Sequence, residues 1–425
     1  MAKYFQENNP KRQMLIKPLS SKDVTTDGES GELKEKSVDD PKLVKNQIKS
    51  VAELRMYLRT ALQLELSTIP PYLCGLYSIK EGSNQVAGGL IRSVVVEEML
   101  HMVLVANILN AISSKKDLEE DKKNPLYNGK LFNVKDIIPN YPTPLPGNIF
   151  PHVPKGQPPF TVSLLKFSQA AIDEFCTIEL PSNPQAPVKP RKRGQLFPTF
   201  DGIGQFYEAI RYGLYRFKNE ITTPEKNKNG KTYHKFIGDE SRQVGPEHYY
   251  GSGGKILKVI YFGGALEAIE EIVGQGEGVD GTIQDPDYEM FGEGIEYAHY
   301  FKFQEINFGR LYRPNDTNYD KPVNSIPSGE SINRSWTSVY NMKPNPKMAD
   351  YKGNKQLLEL AHSFNATYVS LLNNINDAVS GDPSKLIAGI TLMYDLKYKA
   401  LELLNIPLNN KEGQCAGPTF EYVEV

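Results

Sequence analysis

The stretch VVVEEMLHMVLV, residues 94–105, sets two glutamates and a histidine inside an otherwise apolar run. A buried carboxylate is costly unless a group of opposite charge meets it. Any fold that buries this segment must therefore bring a cation to it. Read at helical spacing, Ile91, Val94, Val95, Glu98, His101, Met102, Val105 and Ile108 form one stripe, with Glu98 and His101 at its middle. Glu97 lies about 100° round the helix and is expected at the periphery. A Glu and a His three residues apart leave a helix on the same side, as two ligands converging on one metal ion would.

The same spacing recurs at Glu296 and His299, in GIEYAHYFKFQEI, on a stripe with Gly292, Ile295, Phe303 and Ile306. A third instance, Glu359 and His362, falls beside its stripe of Leu357, Ala361, Phe364, Tyr368 and Leu372 and is read as chance. Two further carboxylates are expected, one from each of two other helices. Glu65 follows Ala61 and Leu62 on an apolar face, and Glu179 continues the line Leu164, Ser168, Ala171, Ile172 and Phe175. Glu208 and Glu267 compete with Glu179 for the fourth place. Four carboxylates and two imidazoles around two divalent ions would leave a nearly neutral interior, in the pattern of helix-bundle dimetal carboxylate proteins.

The chain around these positions reads as mainly α with long loops. Helical patterns cover 51–80, where Pro70 and Pro71 should kink or break the helix, then 85–111, 163–180, 203–217, 255–274, 288–306, 355–379 and 384–404. Pro- and Gly-rich loops at 115–160, 181–200 and 219–255 separate them. Residues 1–48 are charged and aperiodic and read as a partly disordered arm. Residues 49–425 read as one domain, with a helical extension from about 340 to 425. A net charge of −2 gives no reason to expect nucleic acid or an acidic membrane as partner. No apolar run reads as a membrane span, and the polar N-terminus lacks a signal-peptide core. The three cysteines are too widely spaced for a disulfide framework or a CxxC site. A cytoplasmic protein is expected, with homo-oligomerisation left open. GSGGKIL lacks the Ser or Thr of a phosphate loop and reads as a flexible loop before a helix, and KPRKRG reads as a solvated loop.

The stretches LRTALQLELSTIPPYL, VVEEMLHMVLVANIL, FCTIELP, IGQFYEAI, QGEG, EYAHYFKFQEI and AGPTFEY, running from about residue 50 to the C-terminus, resemble the ferritin-like family of iminophenyl-pyruvate dimer synthases. These are related to partner enzymes of violacein and rebeccamycin biosynthesis. The resemblance implies a ferritin-like four-helix bundle with long loop insertions and extra C-terminal helices. It implies metal ligation by Glu65, Glu98, His101, Glu179, Glu296 and His299. Gln205 departs from the Glu expected in the IG-x-FY stretch.

A Glu/His donor set with open positions suits two iron ions, or manganese, better than zinc. The expected activity is a non-haem dimetal oxidase or oxygenase acting on a small amino-acid-derived or aromatic substrate with dioxygen or peroxide, within secondary metabolism. Glu98 and Glu296 would bridge, Glu65 and Glu179 would be terminal or bridging, and each histidine would serve one ion. Tyr207 and Tyr300 are candidate catalytic groups beside the site, with Tyr72 and Tyr297 as further candidates. The alternative is a peroxide-removing or metal-storing protein without an organic substrate.

Overall fold

The computed structural model describes residues 48–151, 159–182, 188–189, 191, 194–228, 230–249, 253–278, 282–285, 296–318 and 321–425. The expected N-terminal arm lies outside the described residues except for Ile48. Eleven α-helices follow one another among the described residues: α1 (Val51–Tyr77), α2 (Gln85–Ile112), α3 (Lys115–Lys123), α4 (Val134–Ile137), α5 (Gln169–Ile178), α6 (Ile203–Arg216), α7 (Lys218–Ile221), α8 (Phe262–Glu277), α9 (His299–Phe308), α10 (Lys355–Val379) and α11 (Lys385–Leu404). Between α7 and α8, β1 (Thr222–Lys226) and β2 (Thr232–Phe236) pair antiparallel as a hairpin that the sequence reading treats as loop.

The order of packing builds the site. α1 and α2, joined by the short loop 78–84, lie along each other; α9 packs on α2, α5 on α9, and α5 on α1. The four helices thus close a ring. α6 and α8 flank it, touching each other, α1 and α2, and α10 and α11 form a separate pair that touches α1 and α2. Tyr72, Phe175 and Phe303, from three of the ring helices, meet with centroids 4.7–5.2 Å apart. Each such ring removed from water contributes about 1.5–3 kcal/mol.

α1 corrects the expected break at Pro70 and Pro71: the helix runs through both. Proline at 71 cannot donate to the Ser67 carbonyl, and the Tyr141 hydroxyl donates to that oxygen at 2.8 Å instead. The Ser50 hydroxyl starts the helix by accepting from Glu53 N at 3.1 Å. Two other boundaries also move. Ser168 caps α5 through Ala171 N, leaving 163–167 outside the helix, and α8 begins only at Phe262. At the far end, the Phe420 ring packs edge-on against Phe364 and Tyr368, and Thr419 Oγ1 accepts from Asn365 Nδ2. The AGPTFEY tail is thereby held on α10.

α2 is long and apolar enough to cross a bilayer, which corrects the reading that no segment is. Its most apolar window is 89% buried inside the fold, however, and it carries Glu97, Glu98 and His101. A span of the interior rather than of a membrane accounts for that composition.

Candidate metal centre

Each helix of the ring sends side chains to one interior place. Glu65 comes from the middle of α1 and Glu98 with His101 from the middle of α2. Glu179 is the residue that ends α5, and His299 is the first residue of α9. All five are 5% exposed or less. Their donor atoms form two groups of three, each with atoms within 4.8 Å of one another: Glu65, Glu98 and His101, and Glu98, Glu179 and His299. Glu98 belongs to both. His101 Nδ1 lies 3.3 Å from Glu65 Oε2 and 3.9 Å from Glu98 Oε2. His299 Nδ1 lies 3.1 Å from Glu98 Oε1 and 3.6 Å from Glu179 Oε2. The two imidazoles face each other with centroids 5.4 Å apart and planes inclined by 23°.

Every one of these side chains is held from behind. Tyr207, on α6, donates its hydroxyl to Glu65 Oε1, and Tyr72 donates to Glu179 Oε1. Burial keeps both phenols protonated well above their ordinary pKa, with Glu65 and Glu179 respectively adding to the effect. Thr68 Oγ1 stands 3.1 Å from Glu98 Oε2. His101 Nε2 is 2.7 Å from Gln275 Oε1, while Gln275 Nε2 donates to the Gly253 carbonyl at 3.0 Å. A carbonyl can only accept, so the Gln275 oxygen faces the histidine and His101 donates from Nε2. His299 Nε2 is 2.8 Å from Glu97 Oε2, whose carboxylate is clamped by Lys302 Nζ at 2.7 and 2.8 Å. That carboxylate accepts, so His299 also donates from Nε2. Both rings therefore turn Nδ1 to the centre.

The charges explain the need for a cation. Burial pushes the Glu98 carboxyl well above its usual range, and the neighbouring Glu179 adds to this. Burial alone would raise Glu65 too, but its contacts with His101 bring it net below the ordinary value. Glu97 is likewise lowered, because Lys302 and His299 outweigh its burial. Lys302, although buried, is raised by Glu97, Glu296 and Asp285 and stays charged.

A family model for ferritin-like proteins matches residues 58–308, well over half of the chain. The chain belongs to the ferritin-like family. A solved structure of a ferritin-like protein from Caulobacter vibrioides is similar in fold, with a TM-score of 0.53 at 21% identity, over 88% of this chain and 99% of that one. No curated protein matches. The two metal ions that a ferritin-like bundle of this donor type implies fit the residues present. The His299 Nδ1 atom is buried and makes no hydrogen bond, as a ligand nitrogen should. The donors are oxygen and imidazole nitrogen, without thiolate, which suits iron or manganese. The backing of each ligand by a hydrogen bond is what orients a metal shell.

The structure brings together five of the six expected ligands of this ferritin-like centre and sets Glu296 apart. Glu296 does not share a helical face with His299, because α9 starts at His299 and residue 296 is extended, its carbonyl accepting from Asp285 N. Its carboxylate stands instead with Glu97 and Asp285, 3.9 Å from Lys302 Nζ. Gly292 and Ile295, part of the stripe that suggested otherwise, lie outside the described residues. Of the competitors for the fourth carboxylate, Glu208 pairs with Arg211 on α6 and Glu267 is half-buried on α8, in neither ligand group. Glu359 and His362 are exposed. Tyr300 does not touch the five: one step along from His299 it points elsewhere, its hydroxyl accepting from Gln304 Nε2 at 2.8 Å. Tyr297 packs against Tyr312. The Gln205 oxygen accepts from Asp201 N at the start of α6.

Sequence reading missed Glu97, Gln275, Lys302 and Thr68. Glu97 was set aside because a one-sided stripe assumes that the other side meets water. α2 is instead covered by α1, α8 and α9 together, and Glu97 is wholly buried. Gln275 carries a weak signal, since it opens the QGEG stretch at the end of an apolar helix.

Proposed function

We propose that this ferritin-like protein is a dimetal carboxylate oxidase or oxygenase for a small amino-acid-derived or aromatic substrate, in the manner of the iminophenyl-pyruvate dimer synthases it resembles. The observation that carries the reading is the pair of three-ligand groups sharing Glu98, each with a histidine turned so that Nδ1 faces inward. Two ions held by these residues would supply two-electron oxidation chemistry with dioxygen or peroxide.

The chain's own part is to hold and insulate them. Glu98 would serve both positions; Glu65 with His101 would complete one, and Glu179 with His299 the other. Tyr207 and Tyr72 keep a proton on each phenol oxygen and, by donating it to Glu65 and Glu179, fix the orientation of those carboxylates. The exclusion of water from all five ligands supports chemistry that must keep reactive equivalents from solvent. A storage role would call for ions that enter and leave in number, which a fully backed, closed set of ligands does not favour. In the cell such a protein would work in the cytoplasm.

Metal content and oxygen consumption test this reading. The purified chain, loaded anaerobically with iron and freed of excess, is expected to hold two ions and to consume dioxygen faster when amino-acid-derived imines or small aromatic acids are added. Vigorous oxygen evolution from peroxide, with no organic substrate altering uptake, would instead establish the peroxide-removing alternative.

A further inference from the structure

The two histidines share a pose but not a partner. His101 donates to the neutral amide of Gln275, whose other end is tied to a backbone carbonyl. His299 donates to the carboxylate of Glu97, which Lys302 grips through both oxygens. Behind that ammonium stand Asp285 at 3.6 Å and Glu296 at 3.9 Å, so the His299 side carries three carboxylates against one lysine. Glu97, His299, Lys302 and Asp285 are buried, the first two completely, while Glu296 is partly exposed, so solvent screens the inner groups little.

From this asymmetry we infer that Glu97, fixed by Lys302, makes the two metal positions unequal, so that the Glu98–Glu179–His299 position fills first and holds its ion more tightly. The inference rests on the dimetal reading above. An imidazole whose N–H is given to a carboxylate places more electron density on its other nitrogen than one given to an amide, and is the better ligand. The excess negative charge around Lys302 attracts a cation to the same side, whereas among the described residues Gln275 links His101 to the neutral Gly253 carbonyl. Glu97 is in this scheme a positioning residue: it does not touch the ion but sets the tautomer and basicity of the atom that does. Lys302, bonded to both Glu97 oxygens, holds that carboxylate in place against His299.

The test is a titration of the full-length, chelator-stripped protein with Mn(II), following the free ion by electron paramagnetic resonance. Two binding events are expected, with affinities about ten- to hundredfold apart. His299→Ala should remove the tighter event and His101→Ala the weaker one. Glu97→Gln should weaken only the tighter event, bringing the two together, and Gln275→Glu should close the gap from the other side by tightening the weaker. The opposed directions of the last two variants separate a specific effect from a general loss of folding. Two ions bound with equal affinity, a tight event that survives His299→Ala, or an unchanged gap in both Glu97→Gln and Gln275→Glu overturns the inference alone. Fewer than two ions on the wild-type chain refutes the dimetal reading itself, and the inference with it.

Discussion

Tyr207 offers the narrowest probe of the centre. Changing it to phenylalanine deletes one hydroxyl and leaves the ring in its packing between α6 and α1. The hydroxyl is wholly buried and donates to Glu65 Oε1, so no water is at hand to replace it. A hydrogen bond to a charged group contributes about 1.5–3 kcal/mol. At about 1.4 kcal/mol per factor of ten, the loss corresponds to roughly ten- to hundredfold in affinity. The loss should be local, because Glu65 belongs only to the group with His101. Tyr72→Phe should weaken the other position, where Tyr72 supports Glu179. Tyr300→Phe, whose hydroxyl accepts from Gln304 Nε2 away from the five ligands, should weaken neither. Competition of each variant against a chromophoric chelator, read position by position in His101→Ala and His299→Ala backgrounds, measures this. If Tyr207→Phe and Tyr300→Phe bind metal alike, the argument from hydrogen-bonded support is wrong.

Glu98→Ala and His101→Ala should each lose bound metal by elemental analysis, whereas Glu359→Ala and His362→Ala should retain it; equal contents in all four would contradict the burial argument. Ser50→Ala removes the cap of α1 and should cost about 1 kcal/mol in urea unfolding of the stripped protein. Gly147→Ala should cost about 1–3 kcal/mol, since Gly147 has φ of +78° and an added Cβ would stand 2.9 Å from Phe206, which is itself stacked on Tyr57; unchanged stability would mean that the aromatic cluster gives way freely. Burial raises the Glu174 carboxyl to about 8, from an ordinary 4.5. A raised folded pKa favours folding below the unfolded value and loses that contribution as pH climbs through the folded one. Glu174→Gln, which does not titrate, should therefore gain stability relative to wild type between about pH 5 and about pH 8.5, and a pH-independent difference in urea midpoints would refute the assignment.

Much of the centre was legible from spacing alone. Glu98 and His101 declared themselves because charge interrupts an apolar stripe at helical period, and Glu65 and Glu179 by the same test on weaker stripes. α2, α10 and α11 were legible almost to their ends, since their patterns are long and their breakers strong. Helix ends set by contacts elsewhere were not: Pro71 reads as a break until Tyr141 supplies the missing donor from a distant loop. Glu296 shows the same limit within the site. Its spacing from His299 is that of a helical pair, yet the backbone there pairs with the segment around Asp285 instead of coiling.

The chain's own order of residues determined that carboxylates and imidazoles would be buried on helices, because a period of apolar residues leaves those positions no exit to water. Which of them meet, and which group stands behind each, was settled only when α1, α2, α5 and α9 closed and α6 and α8 covered them. Helical periodicity specifies a direction from one axis, while ligation and its backing depend on distances between axes, and those come from packing.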